Sequence, residues 1–380
     1  MRIGFALLTL FPGRVGGAET YVQGLLGEYA AGADEVVVLA NRHVIDEYAG
    51  FERGRVRLHH VSSYRPGDGD LTRALAMAGA ALRPRAAARA VPGDLDLVHY
   101  AVTVPIPATP APRVVTLHDV QHHDLPRLFS RAERAYRRWA YDGSARRADV
   151  VVTASHFSKQ RIVERLGIAP ERVEAVHFGI DHDRFRPDPD PDDAGALADF
   201  DLPPRFAFYP ANLWPHKNHE RLLEALALLG DSDLGLVLTG QPYGRLERLR
   251  ERAQELGVEH RVRHLGHVPQ RVLPALYRRA TALVFPSLYE GFGAPPLEAM
   301  ACGCPVAASD RASIPEVCGT AALLFDPDSG ESIAEALARA TAGEEVRERL
   351  RGAGLERARA FTWRASAERH AQIYARATAT

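Results

Sequence analysis

The chain has 380 residues, a length that favours two domains with separate cores. Its 47 basic and 48 acidic residues nearly cancel, so no overall field draws it to nucleic acid. Three cysteines, Cys302, Cys304 and Cys318, make neither a disulfide framework nor a zinc set.

In chain order, the first expected strand is Arg2–Leu8. Its apolar stretch is short and no small-residue cleavage site follows, so it reads as a strand and not as an export signal. No run approaches the length of a membrane-crossing helix, and a cytoplasmic protein is expected. Further strands are predicted at Glu35–Leu39, Leu97–His99, Val114–Leu117 and Val150–Thr153. They alternate with helical patterns, as parallel βαβ units do. The Pro/Asp-rich run Arg186 to Asp193 breaks the pattern and reads as a linker or surface loop, which sets a domain boundary near residue 185. Strands resume at Phe206–Tyr209, Gly235–Thr239, Val262–Leu265, Ala282–Phe285 and Val306–Ala308. A last helix is predicted over Trp363 to Ala377. The class is α/β, with two doubly wound domains, residues 1–185 and 186–362, and a terminal helical segment, 363–380. Two such domains facing a central cleft would bind ligands at the carboxyl ends of their strands.

Residues that carry chemistry cluster at those strand ends. Gly16-Gly17-Ala18-Glu19 follows the first strand and opens a helix, where backbone N–H groups can meet a phosphate. His118-Asp119 closes the strand Val114–Leu117. The neighbouring His122-His123-Asp124 offers too few convergent ligands for a metal. Arg127 to Arg147 carries seven arginines interleaved with Phe129, Tyr136, Trp139 and Tyr141, a pattern that suits contact with an anionic membrane surface. Lys217, one of only two lysines beside Lys159, stands after a strand at a helix opening, placed to neutralise a diphosphate as a point charge.

The most informative stretch is Glu290-Gly291-Phe292-Gly293-Ala294-Pro295-Pro296-Leu297-Glu298. It follows a buried strand and leads into a helix stopped by Gly303. Two carboxylates flank a glycine-rich turn whose backbone donors face the same way, a combination that suits a sugar nucleotide.

This E-G-F-G-x-x-x-x-E pattern resembles the signature of retaining glycosyltransferases of the GT-B fold, family 4, and the likeness extends over nearly the whole chain. The resemblance implies two Rossmann-like domains, with residues 1–185 binding the acceptor and 186–362 the nucleotide sugar, and a C-terminal helix crossing back to the first domain. It assigns Glu298 to the ribose hydroxyls. Glu290, with the backbone of Gly291, Phe292 and Gly293, is assigned to the donor sugar, and the Leu297 N–H to phosphate. Lys217 matches the family's phosphate-binding lysine, but Asn212 stands where an arginine is common, so less positive charge meets the leaving group. His267 and Val268 would meet the nucleobase through their backbones. Gly16 and Gly17 would lie by the diphosphate, with Glu19 and Asp119 on the acceptor side, and His118 would hydrogen-bond the transferred sugar.

The implied reaction moves a hexose from a nucleotide diphosphate sugar to an acceptor hydroxyl, with His118, Lys217 and Glu290 as its catalytic residues. No metal and no cofactor are expected. The run Trp214-Pro215-His216-Lys217-Asn218 resembles mannose-transferring members, which leans the donor to GDP-mannose over a UDP-hexose. The acceptor is a saccharide, a lipid-linked glycan or a small metabolite. A nucleotide-sugar epimerase on the same fold and a non-catalytic sugar-binding protein are the alternatives.

Overall fold

The computed structural model describes the chain except residues 14–15, 65–75, 78, 81–85, 87 and 380. The chain forms two compact units. The first contains Met1–Gly179 and Trp363–Thr380, and the second Ile180–Thr362.

The first unit holds seven parallel strands: β1 (Arg2–Ala6), β2 (Glu35–Ala40), β3 (Val56–His60), β4 (Leu97–Tyr100), β5 (Arg113–Thr116), β6 (Val150–Thr153) and β7 (Val173–Ala175). Their order is β3-β2-β1-β4-β5-β6-β7, so the winding reverses between β1 and β4. The alternation of side chains along each strand divides them between two cores. Phe5, Val36 and Val38 face one apolar cluster, whereas Ala6, Val37 and Leu39 face the other. The first cluster is completed by Tyr21, Val22, Leu25 and Leu26 of the helix Gly17–Tyr29 and by Trp363, Ile373 and Tyr374 of the C-terminal helix Trp363–Thr378. These two helices approach closely because residue 24 is glycine: a Cβ there would stand 2.2 Å from the Trp363 ring.

The second unit holds β8 (Phe206–Pro210), β9 (Gly235–Thr239), β10 (Val262–His264), β11 (Ala282–Phe285), β12 (Val306–Ser309) and β13 (Leu323–Phe325), all parallel. Their order is β10-β9-β8-β11-β12-β13. The chain winds outward from β8 through β9 and β10 and then returns to its other side with β11. Loops leaving β8 and β11 therefore flank the point where the winding reverses, the usual ligand crevice of such sheets.

The division between units falls at Gly179 and Ile180, a few residues before the boundary expected near residue 185. The Pro/Asp-rich run is not a free linker. The Asp193 carboxylate is held by the Arg278 guanidinium, Nε to Oδ2 at 2.7 Å, and Asp193–Leu197 is helical. Charge pairing ties this polar segment to the second unit where apolar packing could not. The three cysteines are free and buried, and burial pushes the thiols of Cys302 and Cys318 up to about 12. Among the described residues no helix is long and apolar enough to cross a membrane.

Candidate functional site

In the second unit the residues picked out from the sequence gather on the loops after β8 and β11. After β8 the chain passes through a short 3-10 turn, Pro215–Lys217, and then through Asn218, whose φ of 61° is left-handed. Asparagine tolerates that conformation better than most residues. Its side-chain amide donates to the carbonyls of Pro286 (3.2 Å) and Pro327 (2.7 Å), and Leu288 N donates to His216 O at 2.8 Å. The two loops are thus pinned to each other before any ligand arrives. Tyr209 donates its hydroxyl proton to the Lys217 carbonyl at 2.8 Å, so the Ser287 hydroxyl, 3.0 Å from the Tyr209 oxygen, must be the donor to it.

This scaffold sets the Lys217 ammonium 2.5 Å from Glu290 Oε1, with both side chains mostly buried. Each charge is the other's main compensation in that setting. A ligand carrying both phosphate and hydroxyls offers each group a new partner.

The Glu290 turn is held from behind. The buried Ser313 hydroxyl reaches the carbonyls of Glu290 (2.9 Å) and Phe292 (2.7 Å). Gly293, at φ 91°, caps the helix Ala294–Ala301, and a Cβ on it would lie 2.4 Å from the Ile314 methyl. Any other residue there would be strained by the left-handed backbone and would have to displace the Ile314 methyl. Prolines 295 and 296 carry no N–H, so the donors that the turn can offer come from Gly291, Phe292, Gly293, Ala294 and Leu297.

Glu298 lies one turn into this helix, half-buried, and accepts the Tyr277 hydroxyl at 2.8 Å. Burial raises its carboxyl above the usual range, while the Tyr277 bond and the Arg184 charge pull the other way. Asn212 has a role that the sequence did not reveal: its Oδ1 accepts from Gln241 N at 2.8 Å, joining the loops after β8 and β9. Only its Nδ2 end remains to donate to a phosphate. In the loop after β10, Val268 is buried and His267 exposed.

In the first unit, Gly16 (φ 53°) and Gly17 open the helix after β1, and among the described residues nothing lies within 4 Å of where a Cβ would stand. Arg14 and Val15 of the preceding turn lie outside the described residues. Glu19 accepts from Gly13 N at 2.8 Å, and burial raises its carboxyl. Asp119 accepts from Gln121 N at 2.9 Å, shaping the chain after β5. His118 packs edge-on against Tyr21 (5.6 Å) and Phe178 (5.9 Å). Burial lowers its pKa, which favours a neutral ring. Its buried Nε2 has no hydrogen-bond partner among the described residues.

His122 and His123 meet the buried Asp142, a partner the sequence does not reveal. Their Nε2 atoms lie 2.9 and 2.7 Å from its two oxygens. Asp142 closes a π-helical turn, Arg138–Asp142, whose wide register brings it to the histidines. Binding a cation through Nε2 would leave a proton on the buried His122 Nδ1, which has no acceptor among the described residues. The cluster therefore suits a hydrogen-bonded clamp. The same π turn interrupts the expected basic helix between Arg131–Arg137 and Gly143–Arg147, and it leaves Trp139 50% exposed.

The chain matches the family model described as Glycosyltransferase Family 4 over residues 15–184, and that described as Glycosyl transferases group 1 over residues 198–357. It is 30% identical over 286 residues to O-antigen chain mannosyltransferase B of Escherichia coli, covering 74% of this chain and 75% of that protein. It is 31% identical over 238 residues to D-inositol 3-phosphate glycosyltransferase of Corynebacterium glutamicum, covering 60% and 57% respectively. In fold it is similar to Anabaena HepE solved with UDP and glucose, at TM-score 0.75 and 20% identity over 99% of both chains. It is also similar to sucrose-phosphate synthase from Thermosynechococcus elongatus, at TM-score 0.77 and 22% identity, covering 100% and 99%. These likenesses, with two parallel Rossmann-like sheets, make the chain a member of the family 4, group 1 glycosyltransferases, an enzyme of the GT-B fold.

Proposed function

We propose that the enzyme is a retaining mannosyltransferase that moves mannose from GDP-mannose to an acceptor hydroxyl without a divalent ion. The observation that carries this reading is the Lys217–Glu290 pair, 2.5 Å apart across the β8/β11 reversal. The ammonium and the donors of the Glu290 turn supply positive potential for a diphosphate, as a metal ion does elsewhere. In the proposed step the bond from the sugar's anomeric carbon to the phosphate oxygen breaks through an oxocarbenium-like state. The acceptor oxygen bonds the same face of that carbon, and its proton passes to the departing phosphate oxygen. Glu290 holds the sugar hydroxyls, Glu298 the ribose, and His118 Nε2 accepts from a hydroxyl of the transferred sugar.

The sugar is read from the mannosyltransferase likeness, and UDP-glucose, suggested by the HepE complex, is the competing donor. Thermal melts separate the two. GDP at about a hundred times its Kd is expected to stabilise the protein by about 2.7 kcal/mol, and UDP at the same concentration by much less. Stabilisation by UDP alone would reassign the nucleotide. With GDP-mannose, turnover in EDTA and an unchanged anomeric configuration are expected, and metal-dependent turnover would refute the charge assignment.

The segment from Arg127 to Arg147 is proposed to rest on an anionic membrane face at the cytoplasmic side, where lipid-linked acceptors would reside. Exposed Trp139 and Tyr136 accompany exposed Arg131, Arg138, Arg146 and Arg147, while Arg137 lies over the rings of Phe129 (4.6 Å) and Tyr141 (5.2 Å). The protein is expected to sediment with phosphatidylglycerol vesicles, and Trp139→Ala to weaken that binding. Equal recovery with neutral phosphatidylcholine vesicles would count against the contact.

A further inference from the structure

Beneath His118, inside the first unit, runs a chain of buried polar groups that the proposed reaction does not use. The His370 Nδ1 lies 2.8 Å from the Ser366 carbonyl, and His370 Nε2 lies 2.7 Å from the Tyr21 hydroxyl. The Tyr21 hydroxyl is 3.0 Å from Thr116 Oγ1, which is 2.7 Å from His99 Nε2. His99 Nδ1 is 2.7 Å from the Tyr374 hydroxyl, and that hydroxyl is 2.7 Å from the one on Tyr29. All six side chains are buried.

Proton counting gives this chain a single direction. A carbonyl can only accept, so His370 Nδ1 carries a proton. Burial lowers the pKa of His370 to about 4 and that of His99 well below its ordinary value, so both rings are neutral near pH 7. Neutral His370 then accepts at Nε2, and Tyr21 must donate to it. Tyr21 has no second proton, so Thr116 donates to Tyr21, and His99 Nε2 donates to Thr116. His99 Nδ1 in turn accepts from Tyr374, and Tyr374 accepts from Tyr29. Every donor from Tyr29 to His370 points one way, and the chain ends on the C-terminal helix.

The chain bears directly on His118. The Tyr21 ring stacks on Phe178 at 4.8 Å, and both rings meet His118 edge-on. Trp363 of the C-terminal helix backs Phe178 at 6.1 Å. Thr116 stands two residues before His118 at the end of β5, where its carbonyl also accepts from Thr103 Oγ1 at 2.8 Å. The ring that fixes His118 from one side is therefore itself oriented by a hydrogen bond from its hydroxyl to His370.

We propose that Tyr21, oriented by its hydrogen bond to His370 of the C-terminal helix, is a positioning residue that holds the His118 ring in its working orientation. The C-terminal helix thereby takes part in building the site and does more than cover the sheet. This rests on the reading above that His118 meets the transferred sugar.

The test follows GDP release from GDP-mannose by the full chain. Tyr21→Phe keeps the ring and removes the hydroxyl, and His370→Leu removes the acceptor. Each is expected to lower kcat about tenfold with KM within about twofold, and the double variant to lose no more than either single one. His370→Gln, whose amide oxygen can accept from Tyr21, is expected to restore near-normal kcat. Tyr29→Phe cuts the far end of the same chain and is expected to lower Tm without changing kcat. Wild-type kcat in Tyr21→Phe, or kcat losses that simply follow Tm through Tyr29→Phe, would overturn the proposal.

His118→Ala separates the two readings. If it retains full kcat, the role given to His118 has failed. If it is inactive while Tyr21→Phe and His370→Leu are normal, only the positioning role has failed. A measurement on the unaltered protein guards against variants that do not fold. Its 15N-histidine spectrum near pH 7 is expected to show His370 protonated at Nδ1 and His99 at Nε2. The opposite tautomer at either ring would refute the one-way chain.

Discussion

Replacing Lys217 by alanine is expected to slow turnover by about a thousandfold while the protein still folds. The magnitude follows from what the side chain has around it. Its ammonium is largely shielded from water, sits 2.5 Å from Glu290 and lies 5.7 Å above the Phe285 ring. A charge fixed in such a setting acts on a developing phosphate anion without first reorganising solvent. Its backbone is pinned by Tyr209 on one side and by Asn218 on the other. Asn212 adds little, because its oxygen is engaged by Gln241 and it carries no charge. In the proposed reaction, leaving-group charge would therefore fall mainly on Lys217. Arginine at this position is not expected to rescue, since a planar fork cannot take the place of a compact ammonium beside Glu290. The stability change should be modest, about 1–3 kcal/mol, from leaving the Glu290 carboxylate without its partner. Steady-state rates and a urea melt on the same sample check both parts. Near-normal turnover would remove the phosphate role.

Legibility in the sequence depends in part on strand position, although the edge strand β10 was foreseen as well. The central strands β1, β4, β5, β8, β9 and β11 announce themselves because they are buried on both faces and so are written as apolar runs. The three unforeseen strands, β3, β7 and β13, all lie at sheet edges. There one side lacks a neighbour and polar residues are tolerated, as in the Val-Arg-Leu-His-His of β3 or the half-exposed Leu324 of β13. The run from Arg186 to Asp193 could be read as a loop, but Pro and Asp do not show which unit the loop's charges are paired with.

Within the site, groups that would touch a ligand were legible because their chemistry is rare at strand ends. Glu290, Lys217 and His118 are of this kind. The groups that aim them were not. Ser313, Asn218 and Tyr209 act through carbonyls up to about a hundred residues away in the chain. A buried serine or tyrosine in sequence looks like any other core residue until its partner is known. The role of Asp142 was hidden in the same way, inside the arginine-rich stretch read as suiting an anionic membrane surface.

The second large effect separates the two carboxylates of the Glu290-to-Glu298 segment. Glu290→Ala is expected to lower kcat more than a hundredfold with little change in donor KM. Its carboxylate belongs to a turn held by Ser313 and by the left-handed Gly293, beside the ammonium proposed to meet the leaving group. Interactions of that kind count most when charge develops at the sugar. Glu298→Ala should behave differently, raising KM by about ten- to fiftyfold with kcat within a few-fold, as loss of a charged hydrogen bond to a non-reacting hydroxyl does. It also deprives the buried Tyr277 hydroxyl of its acceptor, so about 1–3 kcal/mol of stability should go with it. Glu298→Gln distinguishes these two losses. Its amide oxygen can still accept from Tyr277, so stability should recover while KM stays raised, because a neutral amide binds a ribose diol less well than a carboxylate. If Glu298→Gln instead restores KM and stability together, the carboxylate serves the helix and not the nucleotide. If Glu290→Ala changes only KM, the assignments of the two carboxylates must be exchanged.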